Sequence, residues 1–140
     1  MRTASQITGD FYKALRSGAL AKELNGGIYY EGLRPIGSRR EDAVLVFTQG
    51  QSGQIDTGTV TVLVYVPDID HDGTGALVEN KRRTAEVEAA ALSWVKELQS
   101  DLTGYKIELS QTILTMPDES IQQHFVSVKI YYESLDNENE

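Results

Sequence analysis

The run Gly58-Thr-Val-Thr-Val-Leu-Val-Tyr-Val-Pro67 leaves its backbone little choice. Val60, Val62, Val64 and Val66 fall at alternate positions, with Thr59, Thr61, Leu63 and Tyr65 between them. A period of two, carried by β-branched and aromatic residues, is what a pleated, half-buried strand selects. Pro67 closes the run, because proline brings no N–H to a ladder. An acidic, glycine-bearing loop follows at once, Asp68-Ile-Asp-His-Asp-Gly-Thr-Gly75, and beyond it the longest helical stretch. Any function has to be compatible with this strand–loop–helix centre.

Upstream, Ile7, Phe11, Ala14 and Leu15 recur at helical spacing behind Ser5, a residue able to cap the helix. Ser17-Gly18 interrupts it, Ala19 to Leu24 continues it briefly, and Asn25-Gly26-Gly27 stops it. Ile28-Tyr29-Tyr30 is a short extended piece, and residues 31–42 form a polar connection rich in turn residues. Ala43 to Gln49 is a strand with apolar side chains on both faces, which predicts a central position or cover from both sides. Residues 49–58 are too many for a two-residue hairpin turn and predict a mobile loop or a ragged arm.

Past the acidic loop, Glu79 or Asn80 opens a helix reaching about Leu102. Val87, Ala91, Val95, Leu98 and Leu102 mark its buried stripe, widened by Trp94 and Ala90. Lys81, Arg82, Arg83, Glu86, Glu88, Lys96 and Glu97 make its wet face. Tyr105, Ile107, Leu109 and Ile113 predict a fourth strand, Pro117 to Ser120 a turn, and Ile121 to Tyr132 a last strand. Asp136 to Glu140 has no apolar content and is expected to be a disordered acidic tail. Residues 1–135 thus read as a single α+β domain, a mostly antiparallel β-sheet with two α-helices packed on one face.

The formal net charge of −8 argues against a protein held to nucleic acid by phosphate contacts, which needs a basic stripe. Absence of cysteine excludes disulfides, thiol nucleophiles and thiolate metal sites together. The longest apolar stretch, Val60 to Val66 with Thr61 inside it, falls far short of the roughly 20 residues a membrane helix needs. Met1-Arg-Thr-Ala-Ser-Gln carries no apolar signal region, so a cytoplasmic protein is expected.

The sharpest motif is Asp68-x-Asp70-x-Asp72-Gly73 followed by five residues and Glu79, the spacing of a calcium-binding loop. Three alternate carboxylates and a twelfth-position glutamate would wrap a hard cation in oxygen. Three departures stand against it: a strand and Pro67 precede the loop, Gly75 replaces the usual branched aliphatic, and Ala76 offers no ligand. Asp and Gly also serve turn chemistry, and carboxylates before a helix complement its dipole. Both readings stay open. His71 reads as an exposed turn residue and His124 as a sheet-face histidine. Gly50-Gln-Ser-Gly53 lacks the lysine of a phosphate loop. Arg34, Arg39 and Arg40 are either a dock for an acidic partner or solvated loop cations. Tyr29, Tyr30, Tyr131 and Tyr132 are either interface aromatics or core and edge residues. No catalytic, cofactor or metal residue is assigned, and an enzyme is not expected.

Several stretches together are similar to a known group. Leu15-Arg-Ser-Gly-Ala-Leu-Ala-Lys-Glu-Leu-Asn-Gly-Gly-Ile-Tyr29 leads to Arg34-Pro35 and Glu41-Asp-Ala-Val-Leu-Val46. The strand ending Val64-Tyr-Val-Pro67, the long helix and His124-Phe-Val-Ser-Val-Lys-Ile130 follow. In this order, over nearly the whole domain, the chain resembles the tail-completion or tail-terminator proteins of long-tailed bacteriophages and prophages. The resemblance implies a small α+β subunit that forms a homo-oligomeric, hexameric ring, caps the tail tube and meets the head connector. It implies bacterial cytoplasm before assembly and the virion tail afterwards. The loops at 31–42 and 49–58 would reach neighbours, and an acidic conduit would repel DNA phosphate. The other readings kept open are a calcium-stabilised module through Asp68, Asp70, Asp72 and Glu79, and a small-molecule binder.

Overall fold

In the computed structural model, which describes residues 2–51 and 56–135, the alternating valines form the middle of the sheet. The chain runs α1 (Ala4–Ser17), α2 (Ala19–Glu23), β1 (Ile28–Tyr30), β2 (Ala43–Gln51), β3 (Asp56–Pro67), β4 (Ile69–Asp70) and β5 (Leu77–Val78). It continues with α3 (Lys81–Asp101), β6 (Tyr105–Leu109), β7 (Leu114–Asp118), a 3₁₀ turn at Glu119–Ile121, and β8 (Gln123–Ser134). The main sheet is ordered β1-β2-β3-β8-β6, with β7 also paired to β8, while β4 and β5 make a separate two-stranded hairpin. Every pairing is antiparallel except β1 with β2. The protein is an α+β fold with a mostly antiparallel sheet, as the element order predicts.

β3 and β8 pair along their whole length, from Asp56 opposite Ser134 to Pro67 opposite Gln123. That register puts Val60, Val62, Val64 and Val66 beside Ile130, Val128, Val126 and His124 on the face the helices cover. All seven aliphatic side chains of that set are buried. Each is worth roughly 1.5–3 kcal/mol over exposure to water. The helices supply Ile7, Phe11 and Leu15 from α1 and Val87, Ala91, Trp94, Val95 and Leu98 from α3 to the same core. Phe11 meets the rings of Tyr105 and Tyr132 at centroid separations of 5.5 and 6.0 Å. Tyr132 is therefore core, while Tyr30 stacks on Tyr12 at 4.6 Å and stays partly exposed.

Several local readings are corrected. Thr3, not Ser5, caps α1, because Gln6 at the third helical position completes a reciprocal capping box with it. The Ser17-Gly18 interruption yields a separate short helix, making three in all among the described residues. Much of 49–58 is strand: β2 reaches Gln51 and β3 begins at Asp56, with a register shift between Thr48 and Gln51. Residues 52–55 and the expected tail 136–140 lie outside the described residues. The fourth strand divides in two, β6 pairing the C-terminal part of β8 and β7 its N-terminal part. Pro117 sits inside β7 rather than in a turn, as the outer position of that strand permits. The turn falls at Glu119–Ile121, and β8 spans Gln123–Ser134 rather than Ile121 to Tyr132. No helix among the described residues is long and apolar enough to cross a membrane.

Candidate functional site

Parallel pairing of β1 with β2 dictates the most distinctive surface. Ile28 lies opposite Ala43 and Tyr30 opposite Leu45, so the chain leaving Tyr30 must return to the other end before β2 can start. Parallel neighbours need a crossover of about a dozen residues or more, usually helical. Here the crossover is the loop 31–42, and it is built from turns. Leu33 N–H donates to Tyr30 O at 3.0 Å across Gly32 at φ 84°, and Ser38 N–H to Pro35 O at 3.2 Å across Gly37 at φ 80°. Glycine at the third, positive-φ position is the residue such turns select.

Asp42 anchors the loop. Its carboxylate accepts from Gly27 N–H at 2.8 Å, Arg34 Nε at 2.8 Å and Ser38 Oγ at 2.6 Å. Arg34 Nη2 donates onward to Gln123 Oε1 at 2.9 Å, and Gln123 Nε2 returns a bond to Ser38 O at 2.8 Å. The guidinium carbon of Arg34 stands 4.2 Å from the Tyr65 ring centroid. Tyr65 and Gln123 belong to the sheet face opposite the helices, so the loop lies over that face. Arg34 is accordingly not a solvated loop cation, and the sequence pattern could not show this because its partners are remote in the chain. Arg39 and Arg40 do lie at the surface, where they donate to carbonyls of Ile121, Gln122, Asp68 and Asn25. Neither has a carboxylate partner among the described residues.

Glu41, the residue before, holds the helical layer. Arg83 Nε and Nη2 reach its two oxygens at 2.6 and 2.8 Å, and Arg83 Nη1 also meets Glu23 and Glu86. Arg83 therefore turns inward and leaves the wet face of α3. Adjacent carboxylates thus pin α2 and α3 on one side and the crossover on the other. Gly26 makes this possible, since a Cβ there would be driven into Asp42 Oδ1 and the Glu41 carbonyl. Gly26→Ala is expected to lower stability by about 2 kcal/mol, within the range for overpacking; an unchanged urea midpoint would show that the anchor yields freely.

Burial alone would push the Asp42 carboxyl up, but the Ser38, Gly27 and Arg34 donors together hold it below its ordinary value. The folded protein then binds this proton less readily than the unfolded chain. The stabilisation is present above about pH 4 and is lost as pH falls through the depressed folded value. Urea midpoints should fall on acidification below about pH 4, and less steeply in Asp42→Asn.

The acidic loop is organised differently from a cation cage. Asp70 accepts from Thr74 N–H at 3.0 Å and Gly75 N–H at 2.9 Å, closing the β4–β5 hairpin on itself. Asp68 Oδ1 pairs with His124 Nδ1 at 2.7 Å, and His124 Nε2 lies 3.7 Å from Glu79 Oε1. Thr84 Oγ1 donates to the other Glu79 oxygen at 2.7 Å. Asp72 and His71 are exposed. Gathering Asp68, Asp70, Asp72 and Glu79 on one ion would require opening the hairpin and breaking the His124 contacts. Among the described residues no group of three or more acidic or histidine side chains is placed to hold a metal. What the arrangement does is clip the end of β3, the start of β8 and the start of α3 together. A carboxylate orienting an imidazole is also how general bases are held, but here Glu79 faces the second ring nitrogen.

Compared with protein-family models and with curated proteins, the chain matches none. Its own geometry therefore carries the functional reading. Sequence reasoning missed Asp42, Glu41 and Gln123 as organising residues; the Glu41-Asp42 pair directly before a strand that opens with five apolar residues, Ala43 to Phe47, was the available signal.

Proposed function

We propose that this protein is a structural subunit of a phage or prophage tail, a tail-completion protein of the terminator type. It forms a homo-oligomeric ring that caps the tail tube and contacts the head connector, and it acts through surfaces rather than catalysis. One observation carries this: the crossover 31–42 is firmly anchored, yet it holds Leu33 65% exposed and Ile36 wholly exposed. An ordered loop that presents aliphatic side chains to water on a rigid scaffold is suited to protein contact. The sequence resemblance and the net charge of −8, unsuited to retaining DNA in transit, support the same reading. Such a chain would be made in the bacterial cytoplasm and end in the virion tail.

Light scattering behind a sizing column, over a range of concentrations, tests it. A discrete ring-sized species, or a monomer that associates as concentration rises, is expected. A strict monomer at every concentration would overturn it.

A further inference from the structure

Two surfaces on opposite sides of the sheet complement one another. The first is the tip of the crossover, Pro35-Ile36-Gly37-Ser38, whose turn bond and positive-φ glycine fix the direction in which Ile36 projects. Arg39 and Arg40 follow it at the surface, bonded to backbone carbonyls and to no carboxylate among the described residues, in a chain of net charge −8. The second is a groove of about 380 Å³ between α1 and the C-terminal half of α3. Ala14, Trp94 and Leu98 contribute its apolar lining, and Asp10, Glu97 and Asp101 its acidic part. Lys13 is the one cation among its lining residues. Glu97 caps Ala19 N–H and Asp10 accepts from Tyr105 Oη, whereas Asp101 has no partner among the described residues.

Resting on the assembly reading above, we infer that the Ile36 tip of one copy seats in the α1–α3 groove of the next, with Arg39 and Arg40 set against its acidic rim. A chain cannot fill its own groove this way, because the crossover covers the sheet face that the helices do not. The contact joins two different patches, and a heterologous contact of that kind propagates head to tail and closes into a ring when its rotation permits. The occupant is apolar at its centre and basic at its edge, and the groove has the opposite edge charge; this complementarity selects a second copy. The turn holds Ile36 before binding, so little conformational freedom is lost on docking.

The absence of cysteine allows a clean test. Ile36→Cys in one preparation and Ser17→Cys in another place single thiols on the tip and on the groove wall. Under mild oxidation the mixture should give a disulfide-linked dimer that neither preparation gives alone, and the double variant should give a ladder ending at the ring size. Ile36→Asp, at a fully exposed side chain, should weaken self-association roughly tenfold or more. A wild-type ring with no mixed disulfide, and with Ile36→Asp assembling normally, would overturn the tip-in-groove contact and leave the assembly reading standing. That result would also be expected if the groove takes a small ligand or another protein. A wild-type monomer at all concentrations with no cross-link would overturn both.

Discussion

Asp42→Ala is expected to destabilise the protein by about 3–5 kcal/mol, the range for removing one partner of a buried ion pair. Three donors lose their acceptor at once: Gly27 N–H, Arg34 Nε and Ser38 Oγ. The Arg34 side chain, only 14% exposed, would be left without its carboxylate. The damage should not be uniform. Loss of the anchor frees the crossover 31–42 before it frees the core, so limited proteolysis should cut within that loop while β3 and β8 remain protected. Urea unfolding measures the first effect and peptide mapping the second. A loss below about 1 kcal/mol would mean that Arg34 finds other acceptors, and the rigidity assigned to the loop would have to be withdrawn.

Trp94→Ala should cost a similar amount, about 3–5 kcal/mol, for a different reason. The indole is 1% exposed and packs where α1 ends and α2 begins. A Cβ on Gly18 would strike its ring, and Nε1 donates to Ala14 O at 3.2 Å. Alanine would leave a cavity beneath the α1–α2 break and free the Ala14 carbonyl. The thermal midpoint should fall by roughly 10 °C or more in calorimetry. Trp94→Phe should recover most of the packing and none of the hydrogen bond, which separates the two contributions. Near-wild-type stability in Trp94→Ala would show that the helices can collapse into the space.

The two sites differ in how far the chain alone reveals them. Trp94 is legible as core because it sits beside Val87, Ala91, Val95 and Leu98 on the stripe of a helix whose cap, Asn80, and last turn were also readable. Asp42 is not legible, since an aspartate after Arg39-Arg40-Glu41 reads as one more polar loop residue. Its meaning comes from Gly27, Arg34 and Ser38, and through Arg34 from Gln123, which only folding brings near. His124 is an intermediate case. Its alternation with Phe125 and Val126 places it on a strand, but pairing with Asp68 depends on the β3–β8 register. The calcium-type spacing shows the opposite hazard. Its residues stand at matching positions along the chain, yet the hairpin turns Asp70 onto backbone amides and Asp68 toward the sheet.

By itself the sequence determined the α+β class, the β3 and β8 core faces and the buried stripe of α3. Those follow from periods of two and of about four residues, which each segment carries locally and which burial against one shared core then satisfies. Only the tertiary structure decided that β1 runs parallel to β2, that β6 and β7 divide the edge of β8, and that the crossover 31–42 is anchored while Ile36 is not covered. Those outcomes depend on which distant segments pair and on where a side chain finds its hydrogen-bond partner. Local periodicity does not encode either, because the same alternation fits more than one neighbour and register is set by the whole sheet.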